Sequence, residues 1–260
     1  MIKAKKSLGQ HFLADQTARA TIIATANLKA GETALEIGPG EGFLTAALLE
    51  TGATVIAVEK DDRLINLLTE KFTEAIKNKK LELIHADILD FLKAKSYKLK
   101  ANYKLTANIP YYLTGQIIRH FLSTPNQPQS MTLMLQKEVA QRIVAKNSKE
   151  SLLSISVKAY GAPHYLRAVP RGAFRPTPKV DSAIILIDKI NKNNFREISE
   201  EKFFVLVKQG FDQKRKMLRA KLGLTTEELA SCGVNPKDRA ENLTVDQWLC
   251  LSKQKSVPHP

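Results

Sequence analysis

With 260 residues, the chain is long enough for one large domain, or a large one with a small appendage, and it can bury a substantial core. Hydrophobic residues at 43% and charged residues at 25%, with 12 Gly and 11 Pro, exclude collagen, low complexity and intrinsic disorder. The formal net charge of +14 makes a polyanion the first partner to consider, and the basic excess lies in residues 1–30 and 137–260, whereas residues 31–136 balance 12 cations against 12 anions.

Taken in order, the chain opens on a basic arm, Met1–Lys6, that no apolar core follows. Asp15 is placed to cap a helix running to about Asn27. From about residue 33, short β-rich apolar runs alternate with amphipathic stretches, the pattern of βαβ units and a parallel sheet. Strands are expected near 33–37, 53–59, 81–85, 103–108 and 131–135, and helices near 42–51, 62–76, 113–123 and 136–146. Tyr165–Val169 and Ser182–Asp188 read as two closing strands on either side of the Pro-rich turn Pro170–Pro178. The polar stretch Asp188–Ser199 then marks a boundary, so residues 1–190 are expected to form one domain and residues 198–260 a small helical one. Trp248, Leu249 and Leu251 are expected to pack inside the latter. Cys232 and Cys250 are too few and too far apart in sequence to read as a disulfide framework or a zinc ribbon, which points to a reducing cytoplasm. Five scattered His residues lack metal-ligand spacing, so no metal is expected, and the absence of an apolar run near 18 residues argues against a membrane span.

The neutral middle carries the motifs for a small molecule. Gly38-Pro39-Gly40-Glu41-Gly42 follows an apolar strand and opens a helix, where glycines let the backbone approach a ligand closely. Glu59 ends the second strand about twenty residues later, placed to accept hydrogen bonds from ribose hydroxyls. Asp87, followed by Ile88, ends the third strand, beside the expected position of an adenine ring. A dinucleotide site would prefer G-x-G-x-x-G, whereas this turn is G-x-G-x-G preceded by Glu36, a carboxylate that repels phosphate and tolerates a cation. S-adenosylmethionine, with a sulfonium, an ammonium and no phosphate, therefore fits better than NAD.

The fourth strand ends in Asn108-Ile109-Pro110-Tyr111. An exocyclic adenine amine has its lone pair delocalised into the ring, so acceptors must hold it in line with the methyl group. The Asn108 side-chain oxygen and the Ile109 carbonyl are two such acceptors. Pro110 fixes the turn, and Tyr111 offers a face on which a flipped base can stack. Catalysis would then be mostly positioning, with the proton lost to water.

These residues bring a resemblance into view. Lys6-Ser7-Leu8-Gly9-Gln10-His11-Phe12-Leu13, the glycine turn, Asn108–Thr114, Gln136–Arg142 and Phe174–Ser182 together resemble the small-subunit ribosomal RNA adenine dimethyltransferases of KsgA type. The resemblance implies a Rossmann-like class I methyltransferase domain, with a seven-stranded, mostly parallel sheet, and a small C-terminal all-helical domain. It also implies transfer of two methyl groups to N6 of each of two adjacent adenines near the 3′ end of 16S rRNA, late in ribosome assembly. Carried over by motif, His11 and Leu13 border the cofactor, Gly38 and Gly40 meet its methionine end, Glu59 its ribose, Asp87 and Ile88 its adenine, and Asn108 both cofactor and target amine. Tyr111 and Phe174 would sandwich the flipped base. Two departures stand out: His11 lies where many members have Asn, and Ile143–Ser154 lacks an expected glycine-containing turn.

For the basic flanks, Lys214, Arg215, Lys216, Arg219 and Lys221 place five cations and no acid within eight residues, suited to phosphate contacts. Arg142, Lys146, Lys149 and the Lys3–Lys6 arm extend this expected RNA surface. The nearest rival reading is a macrolide-resistance methyltransferase acting on large-subunit rRNA, which Gly9-Gln10 and Lys179–Ser182 disfavour. An assembly factor that methylates only incidentally is the alternative from another class. A DNA adenine methyltransferase fits less well, because no target-recognition insertion interrupts the chain. No long apolar seam asks for a dimer, so a monomer is expected.

Overall fold

The computed structural model describes residues 2–5, 8–93, 99, 102–145, 147, 149–212 and 217–254. It divides into two compact units, Met1–Ala140 with Pro163–Ile190, and Gln141–Ala162 with Asn191–Pro260.

The first unit begins with β1 (Phe12–Leu13) and α1 (Gln16–Ala26), followed by β2 (Thr33–Ile37), α2 (Phe43–Glu50) and β3 (Thr54–Glu59). Next come α3 (Asp62–Lys71), α4 (Thr73–Lys77), β4 (Leu81–His85), α5 (Ile88–Lys93), β5 (Tyr103–Asn108), α6 (Thr114–Ser123) and β6 (Met131–Gln136). Helix α7 (Lys137–Val144) leads into the second unit, where α8 (Leu152–Lys158) lies. The chain then returns through β7 (Ala162–Val169), β8 (Phe174–Arg175) and β9 (Ser182–Asp188). Helices α9 (Glu200–Asp212), α10 (Leu218–Leu222), α11 (Thr226–Ser231) and α12 (Val245–Gln254) complete the second unit.

Seven strands form one sheet in the order β4-β3-β2-β5-β6-β9-β7. Strands β2 to β6 pair in parallel, and β9 runs antiparallel to β6. Because side chains alternate along a strand, the two faces of β2 separate cleanly. Ala34 joins Ile22 of α1 and Leu48 of α2 in one core layer. Leu35 and Ile37 share the other face with their register partners Leu105 and Ala107, and there Tyr103 meets Phe121 of α6 edge-on at 6.4 Å. Asp15 caps α1 through the Ala18 amide, as its position before the apolar run implies.

Several details depart from the sequence expectations. The helix expected over 62–76 breaks at Phe72, whose ring lies against Gly42, where an added Cβ would meet it at 2.5 Å. Strands β1 and β8 pair antiparallel in a two-stranded ribbon that two-residue runs could not announce. Residues 141–162, assigned by sequence to the first domain, belong mainly to the second unit. There Tyr160 stacks on Phe204 at 5.8 Å and touches Phe195 at 5.1 Å, and Asn194 donates to the Ala159 carbonyl. The polar spacer that suggested a single boundary is thus only one of the crossings between the two units.

Cys232 and Cys250, whose spacing did not read as a disulfide framework, are paired, so the two cysteines no longer argue for a reducing compartment. Cys232, just after α11, and Cys250, within α12, bring their Cα atoms to 5.6 Å, and the two sulfurs form a disulfide. Their separation of 18 residues gave no hint of this, because the return of α12 past α11 is a tertiary matter. Trp248 and Leu251 are fully buried in the same unit. Among the described residues no helix is long and apolar enough to cross a membrane.

Candidate active site

The sheet order reverses beside β2, since β3 and β4 extend to one side of it and β5 and β6 to the other. Crevices at the carboxyl ends of strands form at such a reversal. The strand ends there present Asp87, Glu59, Gly38 and Asn108 in a row, and at about 4.8 Å per strand the row spans about 14 Å. A cavity of about 610 Å³ opens above it, bordered by the glycine turn, by residues 8–14 and by Asn108–Leu113.

Gly38 and Gly40 adopt φ of 66° and 59°, the left-handed region that favours glycine. An added Cβ at Gly40 would stand 3.0 Å from the Phe12 ring, whereas one at Gly38 would meet nothing within 4 Å, so the turn leaves open room beside its backbone. Behind it, Glu36 is fully buried and accepts a hydrogen bond from the Thr45 hydroxyl at 2.7 Å. Burial pushes its carboxyl up to about 8. The Glu59 carboxylate accepts from the backbone amides of Lys60 and Asp61, both at 2.9 Å, and of Gly40 at 3.3 Å. Burial raises its pKa against these hydrogen bonds. Asp87 accepts from Lys60 Nζ at 2.6 Å and from the Leu89 amide, and the Lys60 ammonium holds its carboxyl below the usual range. Ile88 and Leu13 supply apolar lining.

At the end of β5, Asn108 Nδ2 donates to the His11 carbonyl at 3.1 Å. A backbone carbonyl only accepts, so this contact fixes the amide with its oxygen directed away from His11 and available as an acceptor. Pro110 and Tyr111 line the cavity, and the Tyr111 hydroxyl bonds to Ser182 Oγ at 2.8 Å. The Tyr111 ring lies 6.2 Å from the His11 ring, with 21° between the planes. His11 Nδ1 approaches the Pro176 carbonyl at 2.7 Å and therefore carries the proton there.

Phe174 does not reach this site. It is 2% exposed, belongs to the core layer with Ile22 and Leu48, and pairs with Leu13 across the ribbon, so its expected place beside the base is corrected to the core. Alternation along β8 turns it inward. Sequence reasoning also missed Asp61, whose position at the start of a helix signals only a cap. Its carboxylate in fact gathers Lys5, Gln10 and Arg63. Among the expected RNA contacts, Lys146, Lys214, Arg215 and Lys216 lie outside the described residues. Arg142 and Arg219 are exposed, Lys149 pairs with Glu241, and Lys221 donates to the Gly210 carbonyl.

The donors and acceptors present fit S-adenosylmethionine. Glu59 and Asp87 line the sheet edge with the acceptors that a ribose and an adenine would need, and the buried Glu36 lines the same cavity, where a cationic end would be tolerated. Of the three lining cations among the described residues, Lys60 already pairs with Asp87, Lys71 donates to the Glu41 carbonyl, and Arg175 is exposed on β8 opposite Phe12.

Residues 1–256 match the ribosomal RNA adenine dimethylase family. Ribosomal RNA small subunit methyltransferase A of Dehalococcoides mccartyi is 44% identical over 260 residues, covering 96% of this chain and 88% of the relative. The protein of the same name from Clostridium botulinum is 37% identical over 259 residues, covering 96% and 93%. Among solved structures, a dimethyladenosine transferase from Plasmodium falciparum superposes with a TM-score of 0.79 at 26% identity, covering 93% of this chain and 96% of that one. The 23S rRNA methyltransferase ErmE gives 0.76 at 27%, covering 93% and 98%. The match runs through both units and through every strand end that faces the cavity, and this chain belongs to the ribosomal RNA adenine dimethylase family of S-adenosylmethionine-dependent methyltransferases.

Proposed function

We propose that this protein dimethylates N6 of two adjacent adenines near the 3′ end of 16S rRNA, acting as a monomer on the immature small subunit in the cytoplasm. The observation that carries the chemistry is the fixed Asn108 amide, whose oxygen is left to accept from a target amine at the end of the cavity. The relatives named as small-subunit methyltransferases support the choice of substrate.

When bound, S-adenosylmethionine supplies an electrophilic methyl group on a sulfonium. Glu59 would hold its ribose, Asp87 with Ile88 its adenine, Gly38 and Gly40 its methionine end, and Leu13 its apolar border. Asn108 Oδ1 and the Ile109 carbonyl would accept the two amine hydrogens and aim the nitrogen lone pair, with Pro110 holding the turn and Tyr111 stacking on the base. Burial raises the Tyr111 hydroxyl pKa and Ser182 engages it, so Tyr111 does not act as a base near neutral pH. Methyl transfer from the sulfonium would leave a neutral thioether and a positively charged, strongly acidic N6, whose proton water can accept without a dedicated base. Arg142 and Arg219, with Lys146, Lys214, Arg215 and Lys216, would contact phosphates and give an affinity that falls steeply with salt.

Transfer of labelled methyl groups to unmethylated small subunits, mapped by reverse-transcription stops, is expected to mark two neighbouring adenines. ErmE shares the fold, so protein-free large-subunit rRNA is the second substrate to test, and label found only there would move this protein to that activity. Asn108→Ala is expected to lower transfer at least about a hundredfold while leaving subunit binding intact. Loss of binding together with transfer would contradict the positioning role.

A further inference from the structure

The N-terminal arm is tied down by a buried charge that does not itself line the cavity. Asp61, in the turn between β3 and α3, is 1% exposed. Its carboxylate accepts from Arg63 Nε at 3.0 Å and a second Arg63 nitrogen at 2.7 Å, from Gln10 Nε2 at 2.9 Å and from Lys5 Nζ at 3.2 Å. Foremost through Arg63, these donors hold its pKa well below the usual carboxylate range.

Two of the donors belong to the arm. Gln10 also closes a turn on it, its Oε1 accepting from the Lys5 amide at 2.7 Å, and Arg63 reaches the Lys3 carbonyl at 3.1 Å. The next residue, His11, presents the carbonyl that fixes the Asn108 amide, and Phe12 lies on Gly40. A continuous set of contacts thus runs from a buried anion, through Gln10, to the group that aims the target amine.

We propose that Asp61 is a positioning residue for methyl transfer, acting through Gln10 to seat the N-terminal arm so that the His11 carbonyl orients Asn108. The inference rests on the role proposed for Asn108. A loosened arm would free the Asn108 amide to turn over, presenting a donor where an acceptor is needed, and would open the cavity on the side of residues 8–14.

Asp61 also caps α3 through the Arg63 amide, and Asn caps a helix about as well as Asp, so Asp61→Asn keeps the cap while removing the charge. Gln10→Ala breaks the same path with no change in α3. In the ligand-free protein, tryptic cleavage after Lys3 or Lys5, followed by mass spectrometry, is expected to be at least about tenfold faster in both variants, since a contact opens to proteases in proportion to its open population. Cleavage elsewhere and circular dichroism should not change. The kcat for methyl transfer is expected to fall about tenfold or more, with KM for small subunits within about twofold, as for a displaced catalytic group. The double variant should be no worse than the more impaired single one, because both act along one path.

Unchanged cleavage in the arm would overturn the proposal, as would wild-type kcat with a loosened arm, or a double variant whose losses simply add. Should Asp61→Asn fail to fold, Gln10→Ala decides the matter by the same readouts. If the wild-type protein transferred no methyl group to small subunits, the substrate reading would fall instead, and the cleavage rates would still decide whether Asp61 holds the arm.

Discussion

Glu36 shows how one residue can link stability to ligand charge. It sits on the α1 and α2 face of β2 with the Thr45 hydroxyl as its hydrogen-bond donor, and burial, assisted by the negative Glu59, pushes its carboxyl up to about 8 from an ordinary 4.5. The folded chain therefore holds a proton that the unfolded chain releases between those values. Its stabilising contribution is fully present below about pH 4.5 and is lost as pH rises through about 8. Thermal melts of the cofactor-free protein are expected to show this decline, and Glu36→Gln to flatten it. A cationic ligand favours the ionised carboxylate, so binding of S-adenosylmethionine should release a proton and tighten as pH approaches 8. Calorimetry in two buffers of different ionisation enthalpy would detect the proton, and equal apparent enthalpies would refute this account.

Among the elements, the C-terminal ends of α7 and α9 make opposite predictions. Ala145 follows α7 with φ of 54°, a left-handed conformation strained for any residue with a Cβ, in the segment where a glycine-containing turn was expected. Ala145→Gly is expected to stabilise the protein by about 0.5–1 kcal/mol, after allowance for the greater freedom of glycine in the unfolded chain. Gly210 on α9 faces the Trp248 ring of α12, and an added methyl would overlap it. Gly210→Ala is therefore expected to cost about 1–3 kcal/mol by overpacking, read as a lower midpoint in urea. A shift of Ala145→Gly in the destabilising direction, or a neutral Gly210→Ala, would contradict these local geometries. The sequence marked both places only faintly: a missing glycine was visible, but the meeting of Gly210 with Trp248 requires α9 and α12 to pack.

For the molecule as a whole, the disulfide is the largest constraint that sequence spacing concealed. It joins residues 18 apart within the second unit. Closing a loop of that size stabilises by about 3 kcal/mol in the chain-entropy account. The oxidised protein is expected to lose several degrees of Tm on reduction, and Cys250→Ser to melt like the reduced form whether or not reductant is present. Equal melting of oxidised and reduced wild-type protein would show that the bond contributes nothing. The charge of the whole chain has a different consequence, since a +14 molecule whose excess lies in its flanks favours a polyanionic partner without specifying a base sequence.

Local order was legible because it depends on neighbours in the chain. The strands over 33–37 and 182–188, the cap at Asp15 and the glycine turn all follow from alternation, side-chain acceptors and left-handed backbone, which short segments encode by themselves. The row of Asp87, Glu59, Gly38 and Asn108 was legible for the same reason, once parallel strands place their carboxyl ends together. Tertiary packing alone decided that Phe174 turns into the core, that residues 141–162 cross to the second unit, that Cys232 meets Cys250, and that Asp61 gathers the N-terminal arm. Each of these depends on groups distant in sequence meeting through burial and hydrogen bonding, and no periodicity records such a meeting before the chain has folded.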